Sequence, residues 1–319
     1  MLTATELSGI IAMMPAFTTD DGSDIRATST VDVDRLANGV DRMVNDGANA
    51  IGTTGSFGEC FNLFPNEFDT LVRTTVETVN QRVPVVVGCV SPNSRETARK
   101  AKAAAAAGAD GVMVGIPYYL PSSVQNAVQF IHDIADLVPK TGVLIYHNPL
   151  LHRISIPVQA FKKITEKRNV VGMKDSHRTT LDFIKLMRIV KGKMSIFVNQ
   201  GQYYPYADYG ASGCWSIDSW MGPWPLLALR NAIKKRDTEA AIAIMLDMNS
   251  TRESSNDLIW RETSHKIAIR FAGYCDPGPL RTPFIHVPEE ITARERRRAE
   301  RWVKICEKYR PIVQASAAT

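Results

Sequence analysis

The chain has 319 residues, of which 45% are hydrophobic and 22% charged, with a formal net charge of +5. This is an ordinary soluble composition, long enough for a large core and suited to one α/β barrel with extra helices. Five scattered cysteines without a Cys-x-x-Cys pair, and six histidines without His-Glu-x-x-His spacing, exclude a disulfide framework, a zinc knuckle and a zincin motif.

In chain order, eight short apolar runs alternate with longer segments of helical period. The runs are "GIIAMMPAF", "ANAIGTTG", "VPVVVGCV", "DGVMVGIP", "GVLIYHNP", "VVGMKDS", "MSIFVNQG" and "SGCWSI". Most lack polar alternation, as parallel strands covered on both faces do. The first run is too short to span a bilayer, contains Pro15, and has no basic segment before it. A cytoplasmic protein is expected, with no membrane partner.

The intervening segments read as helices. Val33, Leu36, Val40, Met43 and Val44 keep the 3.6 period, and Gly47 stands where a C-terminal cap belongs. Pro65 suits a helix start, with Phe68, Leu71, Val72 and Val76 as its buried stripe. The alanine-rich "SRETARKAKAAAAAGAD" reads as a helix packed close to a strand and ending before Gly108. Eight strand–helix units in series predict an α/β fold, a (β/α)8 TIM barrel over residues 1–235. A doubly wound sheet is the alternative, disfavoured by the regular count and the lack of a dinucleotide loop. Residues 236–319 predict a C-terminal helical extension packed on the barrel as one structural unit. The basic run Arg294 to Arg301 is broken by Glu295 and Glu300 and reads as the wet face of a helix. It is not taken as a nucleic-acid site.

Active sites of such barrels sit at the C-terminal strand ends, and the chemically suggestive residues fall there. "GTTGSFGEC" (52–60) closes the second run. Its glycine order fits neither a dinucleotide fingerprint nor a P-loop, which leaves a smaller anion or a plain structural turn. On the fifth and sixth runs, alternation sorts the side chains. If Tyr146 points inward, Asn148 does too and His147 points away; if Lys174 points inward, Asp175 does not. Tyr146, Asn148 and Lys174 then converge without a carboxylate beside the amine. Crowding strips such a lysine of water and favours a neutral, nucleophilic amine, although a strand-end lysine is also a common salt-bridge partner or phosphate ligand.

With "GSFGEC", "PYYLPS", "YHNP" and "GMKDS" in this order and spacing, the chain resembles the pyruvate-dependent class I aldolases, the superfamily of dihydrodipicolinate synthase and N-acetylneuraminate lyase. The resemblance spans nearly the whole chain. It implies a (β/α)8 barrel, usually a homotetramer, with Lys174 as the Schiff-base lysine and Tyr146 as the proton-relaying phenol. The family's carboxylate loop can be laid on residues 52–55 or 55–59. The second register keeps Glu59 and puts the substrate carboxylate on the Ser56 hydroxyl and the backbone N–H groups of Ser56 and Phe57, a nest of donors for a small anion.

Departures narrow the activity. Leu151 stands where dihydrodipicolinate synthase has an arginine. Phe57 replaces the second hydroxyl residue and is expected to break the usual tyrosine–threonine relay. The chain is more similar to the hydratase-aldolases of aromatic-hydrocarbon breakdown, in "GSFGEC", Asn148, Trp215–Ser216 and "GPLRTPF" (278–284). That likeness implies cleavage of an arylidene pyruvate to an aromatic aldehyde and pyruvate, with no cofactor and no metal. Asn148 and Trp215 are then expected to orient water or the benzylic hydroxyl, and Trp215, Trp220, Trp224 and Phe57 favour an aromatic pocket, though some of them must be core. Arg261, in "WRETSHK", is expected near the ring substituent, where its planar fork suits an ortho-carboxylate. The expected substrate is therefore trans-2'-carboxybenzalpyruvate, with trans-o-hydroxybenzylidenepyruvate and aliphatic or sugar-like keto acids as alternatives, and a non-catalytic ligand-binding protein on this fold as the reading that the Tyr146/Lys174 pair argues against.

Overall fold

The computed structural model describes residues 2–251 and 260–317. Eight parallel strands close into a barrel in sequence order: β1 (Gly9–Met13), β2 (Ala50–Thr53), β3 (Val85–Gly88), β4 (Gly111–Val114), β5 (Gly142–His147), β6 (Val170–Asp175), β7 (Ser195–Asn199) and β8 (Gly213–Ser216). The helices are α1 (Val33–Asn45), α2 (Pro65–Val79), α3 (Ser94–Ala106), α4 (Val124–Leu137), α5 (Pro149–His152), α6 (Phe161–Ile164), α7 (Thr180–Val190), α8 (Tyr203–Ala207), α9 (Trp224–Lys235), α10 (Thr238–Ser250), α11 (Arg261–Ala272) and α12 (Glu289–Ala317). Each apolar run of the sequence became a strand. The expected helix starts are capped: Asp32 accepts from the Arg35 N–H, and Asn93 from Arg95 and Glu96. None of the described helices is long and apolar enough to cross a membrane.

Strand alternation divides the apolar core in two. Ile11, Met13, Val86, Met113, Leu144 and Phe197 fill the barrel lumen. Ile10, Ala12, Val87, Val112, Ile145 and Met173 face the helices. On β6 alternation alone does not settle the outcome, because the pairing with β5 slips. Val143 pairs with Val170, but Leu144 pairs with Gly172, so Val171 is an extra residue. Such a bulge re-aims every side chain after it. Beyond the slip Tyr146 pairs with Lys174 and His147 with Asp175. A Cβ on Gly172 would come within about 3.0 Å of Leu144, so a glycine is what lets the bulged strand close on β5.

The C-terminal helices are tied to the barrel by buried polar contacts as well as apolar ones. Arg298 on α12 donates to Asp218 beyond β8 and lies 3.1 Å from Glu295. Both Arg298 and Glu295 are buried. The basic run is therefore not simply a wet face. Its period puts Glu295 and Arg298 three residues apart, on the side that meets Asp218. Trp302 is fully buried and donates its indole N–H to the Gly222 carbonyl (3.0 Å).

Candidate active site

Lys174 projects from β6 at the C-terminal mouth of the barrel, nearly buried. Its Nζ lies 4.0 Å from the ring centroid of Tyr146 and 3.9 Å from that of Trp215 on β8. Among the described residues no carboxylate pairs with this amine. Its surroundings are aromatic faces, which leaves the nitrogen free to react. Trp215 is half-buried, and its indole nitrogen has no hydrogen-bond partner.

The loop after β2 turns back sharply. Thr54 and Glu59 both have positive φ, 41° and 53°, and the Glu59 and Cys60 N–H groups donate to the Ser56 and Gly55 carbonyls. A Cβ at Gly58 would meet the Thr54 backbone at 2.7 Å. Thr53 and Thr54 are used up inside: their hydroxyls are 2.9 Å apart, and Thr54 donates to the Gly88 carbonyl. Ser56 is the hydroxyl that reaches the mouth, with Oγ 3.3 Å from the Tyr146 hydroxyl. Phe57 thus does not remove the hydroxyl contact to the phenol, because Ser56 supplies it. Among the described residues the Ser56 and Phe57 N–H groups have no backbone acceptor.

Ser56 also lines a cavity of about 430 Å³ between the barrel mouth and the C-terminal segment. Its apolar wall includes Phe57, Phe61, Val90, Tyr118, Leu280 and Phe284, and its polar groups include Glu59, His152, Thr263 and Lys266. Volume and lining suit one small aromatic ligand. Phe57 is braced edge-on by His265, with ring centroids 6.1 Å apart. Trp220 and Trp224 do not belong to this wall. Both are buried, Trp220 edge-on against Phe17 at 5.7 Å, in the shell between barrel and helices.

Two polar clusters went unseen in the sequence. In the first, Arg281 of "GPLRTPF" binds Glu59 and the Ala16 and Thr30 carbonyls, and Lys266 lies 3.5 Å from Glu59 and donates to Thr18. Burial pushes the Lys266 amine down to about 8, with Glu59 opposing the shift. The second cluster lies behind the barrel wall. The Ile156 N–H donates to His147 Nε2 (3.0 Å), so the imidazole proton sits on Nδ1, 3.3 Å from Asp175 Oδ1. His177 Nδ1 lies 3.1 Å from the same oxygen, and Arg178 Nε 3.0 Å from the other. Burial by itself would raise Asp175, but the two histidines and the Arg178 charge hold its carboxyl well below the usual range. His147, Asp175 and His177 approach closely enough to hold a metal ion. The chemistry does not fit one: the His147 nitrogen facing Asp175 is protonated, and a guanidinium already occupies the carboxylate.

The remaining expected residues fare differently. Asn148 follows the end of β5 and caps α5, its side chain accepting from the Leu151 N–H at 3.3 Å. Arg261 opens α11, and its side chain lies outside what the structure describes.

The dihydrodipicolinate synthetase family matches residues 10–299. A trans-O-hydroxybenzylidenepyruvate hydratase-aldolase of Pseudomonas aeruginosa is 30% identical, covering 97% of this chain and 96% of its own. A trans-2'-carboxybenzalpyruvate hydratase-aldolase of Nocardioides sp. (strain KP7) is 27% identical over the same shares. Among solved structures, "PhdJ bound to substrate intermediate" is similar with a TM-score of 0.89 and 28% identity, over 97% of this chain and 99% of that one. The chain belongs to the dihydrodipicolinate synthetase family and is a lyase of the aldolase kind.

Proposed function

We propose that the protein is a Schiff-base hydratase-aldolase that converts an arylidene pyruvate and water to an aromatic aldehyde and pyruvate. The observation that carries the reading is the grouping of Lys174, Tyr146 and Ser56, with Ser56 also lining an aromatic-walled cavity. The Lys174 amine condenses with the substrate ketone and expels water. The iminium then draws electrons through the conjugated double bond. Water adds at the benzylic carbon, giving up a proton and leaving an enamine, which is protonated at C3. Deprotonation of the benzylic hydroxyl breaks the adjacent C–C bond and releases the aldehyde. The remaining pyruvate enamine is protonated and hydrolysed, which frees Lys174.

Tyr146 serves as acid and base for these transfers, with Ser56 in contact with its hydroxyl. The Ser56 hydroxyl and the open N–H groups of Ser56 and Phe57 hold the substrate carboxylate. The iminium is the electron sink, so the proposed chemistry calls for no metal or organic cofactor. The homotetramer that the resemblance implies, tested by light scattering, belongs to the same proposal, as does the cytoplasmic location.

For the ring substituent we favour the ortho-carboxylate, as in trans-2'-carboxybenzalpyruvate. Lys266 stands in the cavity wall beside Thr263 and Glu59, and Arg261 opens the same helix. The names of the 30% identical relatives favour the hydroxyl substrate, so the two are compared directly. The wild type should prefer the carboxylate in kcat/KM, and that preference should weaken as pH rises through about 8 and Lys266 loses its proton. Lys266→Met or Arg261→Ala should cut the preference by roughly 10- to 150-fold, a charge-assisted contact of about 1.5–3 kcal/mol. A wild-type preference for the hydroxyl compound would overturn the carboxylate reading and leave the aldolase proposal standing.

A further inference from the structure

We propose that Arg281 and Glu59 form a positioning pair. By tying the turn after β2 to the C-terminal segment, they aim the Ser56 and Phe57 N–H groups at the substrate carboxylate. The assignment rests on the Schiff-base reading of the site. The two peptide units that present these donors are held from behind. The Glu59 N–H donates to the Ser56 carbonyl (3.0 Å), which shares a peptide plane with the Phe57 N–H. The Cys60 N–H donates to the Gly55 carbonyl (3.2 Å), which shares a plane with the Ser56 N–H. In a planar trans peptide the N–H points opposite to the C=O, so the two donors turn with Glu59 and Cys60.

Glu59 is held in turn by its side chain. Its φ of 53° lies in the left-handed region, where glycine is the easier residue. What glutamate has and glycine lacks is the carboxylate. One of its oxygens binds Arg281, and the other lies 3.5 Å from Lys266. Arg281 is buried and engages its whole guanidinium at this corner. Nε donates to Thr30 Oγ1 (2.8 Å), Nη1 to the Ala16 carbonyl (2.6 Å) and to Glu59, and Nη2 to the Phe17 and Thr30 carbonyls (3.3 and 2.7 Å). Lys100, also buried, holds the next link by donating to the Cys60 carbonyl (3.1 Å). A buried ion pair adds little stability over an apolar replacement, so what this one contributes is geometry. It also matches a charge: an unpaired carboxylate three residues from Ser56 would repel the substrate's own. Leu280 and Phe284, on either side of Arg281, line the cavity, so the turn is braced against the wall proposed to receive the ring.

The probe is pyruvate, trapped by borohydride at increasing concentration, which separates half-saturation from the limiting trapping rate. Glu59→Gly removes the side chain and suits the left-handed backbone. Glu59→Gln keeps an oxygen for Arg281, and Arg281→Lys keeps the charge but loses the planar fork. Thermal unfolding sets a temperature at which every variant is folded. We expect Glu59→Gly to raise half-saturating pyruvate by roughly 10- to 10²-fold with a limiting rate within about threefold of wild type, and Glu59→Gln to recover most of that loss. Arg281→Lys should raise half-saturation by about tenfold, and combined with Glu59→Gly it should raise it no further. A Glu59→Gly variant of lowered stability and wild-type half-saturation would overturn the assignment, marking the pair as a brace for the fold alone. Additive effects of the two substitutions, or a glutamine variant no better than glycine, would overturn it as well. A wild type that traps no pyruvate would overturn the Schiff-base reading and this assignment together.

Discussion

Strands β5 and β6 present two consecutive cross-strand pairs that have been put to opposite uses. Tyr146 and Lys174 face the lumen, and His147 and Asp175 face the helices. In the outward pair the charge is matched within the fold: Asp175 lies against two histidines and an arginine, and His147 also takes the Ile156 N–H. In the inward pair the amine lies over two aromatic faces, and the phenol has a loose contact to Ser56. Neighbouring residues on one strand thus differ in whether their charge is matched within the fold. The matched carboxylate fixes the strand ends, and the unmatched amine is available to a substrate.

The largest expected effect lies on the inward side. Tyr146→Phe should retain part of the pyruvate trapping while kcat falls by roughly 10²–10⁴. An unchanged kcat would remove Tyr146 from the chemistry and erase the distinction at its functional end.

On the outward side, Asp175→Asn should destabilise the fold by about 3–5 kcal/mol, because it strands the buried Arg178 without its counter-charge. Denaturant melts at several pH values sharpen this. Since the folded carboxyl is held below its ordinary value of 3.8, its contribution is complete above that pH and is lost as pH falls. Asp175→Asn should remove that acid-sensitive share, while the protein that remains folded still traps pyruvate. A variant of native stability without activity would reverse the roles assigned to the two pairs.

A smaller effect tests the β2 loop by the same rule. Ser56→Ala should weaken keto-acid binding by about 1.5–3 kcal/mol, as for a hydrogen bond to a charged group. Thr53→Ala, whose hydroxyl is engaged with Thr54, should leave KM unchanged. The opposite ranking would place the carboxylate at residues 52–55.

Much of this division was legible in the sequence. Eight apolar runs gave the barrel, because parallel strands buried on both faces need continuous apolar stretches. Alternation separated Tyr146 from His147 and Lys174 from Asp175, although the Val171 bulge that aims Lys174 inward leaves no pattern in "VVGMKDS". Contacts between distant segments were hidden. Arg281 and Glu59 are 222 positions apart, and nothing local in either segment reveals the other. Which of the tryptophans are core was not legible either: a turn after β8 carries Trp220 onto Phe17. His152, which lines the cavity, was missed for a related reason. It lies past the strand end on a four-residue helix, where strand alternation no longer says which way a side chain points.

The most direct test of the central claim is borohydride reduction in the presence of pyruvate, followed by peptide mapping. Lys174 should carry the reduced pyruvate adduct, and Lys174→Ala should carry none and lose nearly all turnover. An adduct on Lys266 or another lysine, or a Lys174→Ala enzyme that still turns over, would contradict the account.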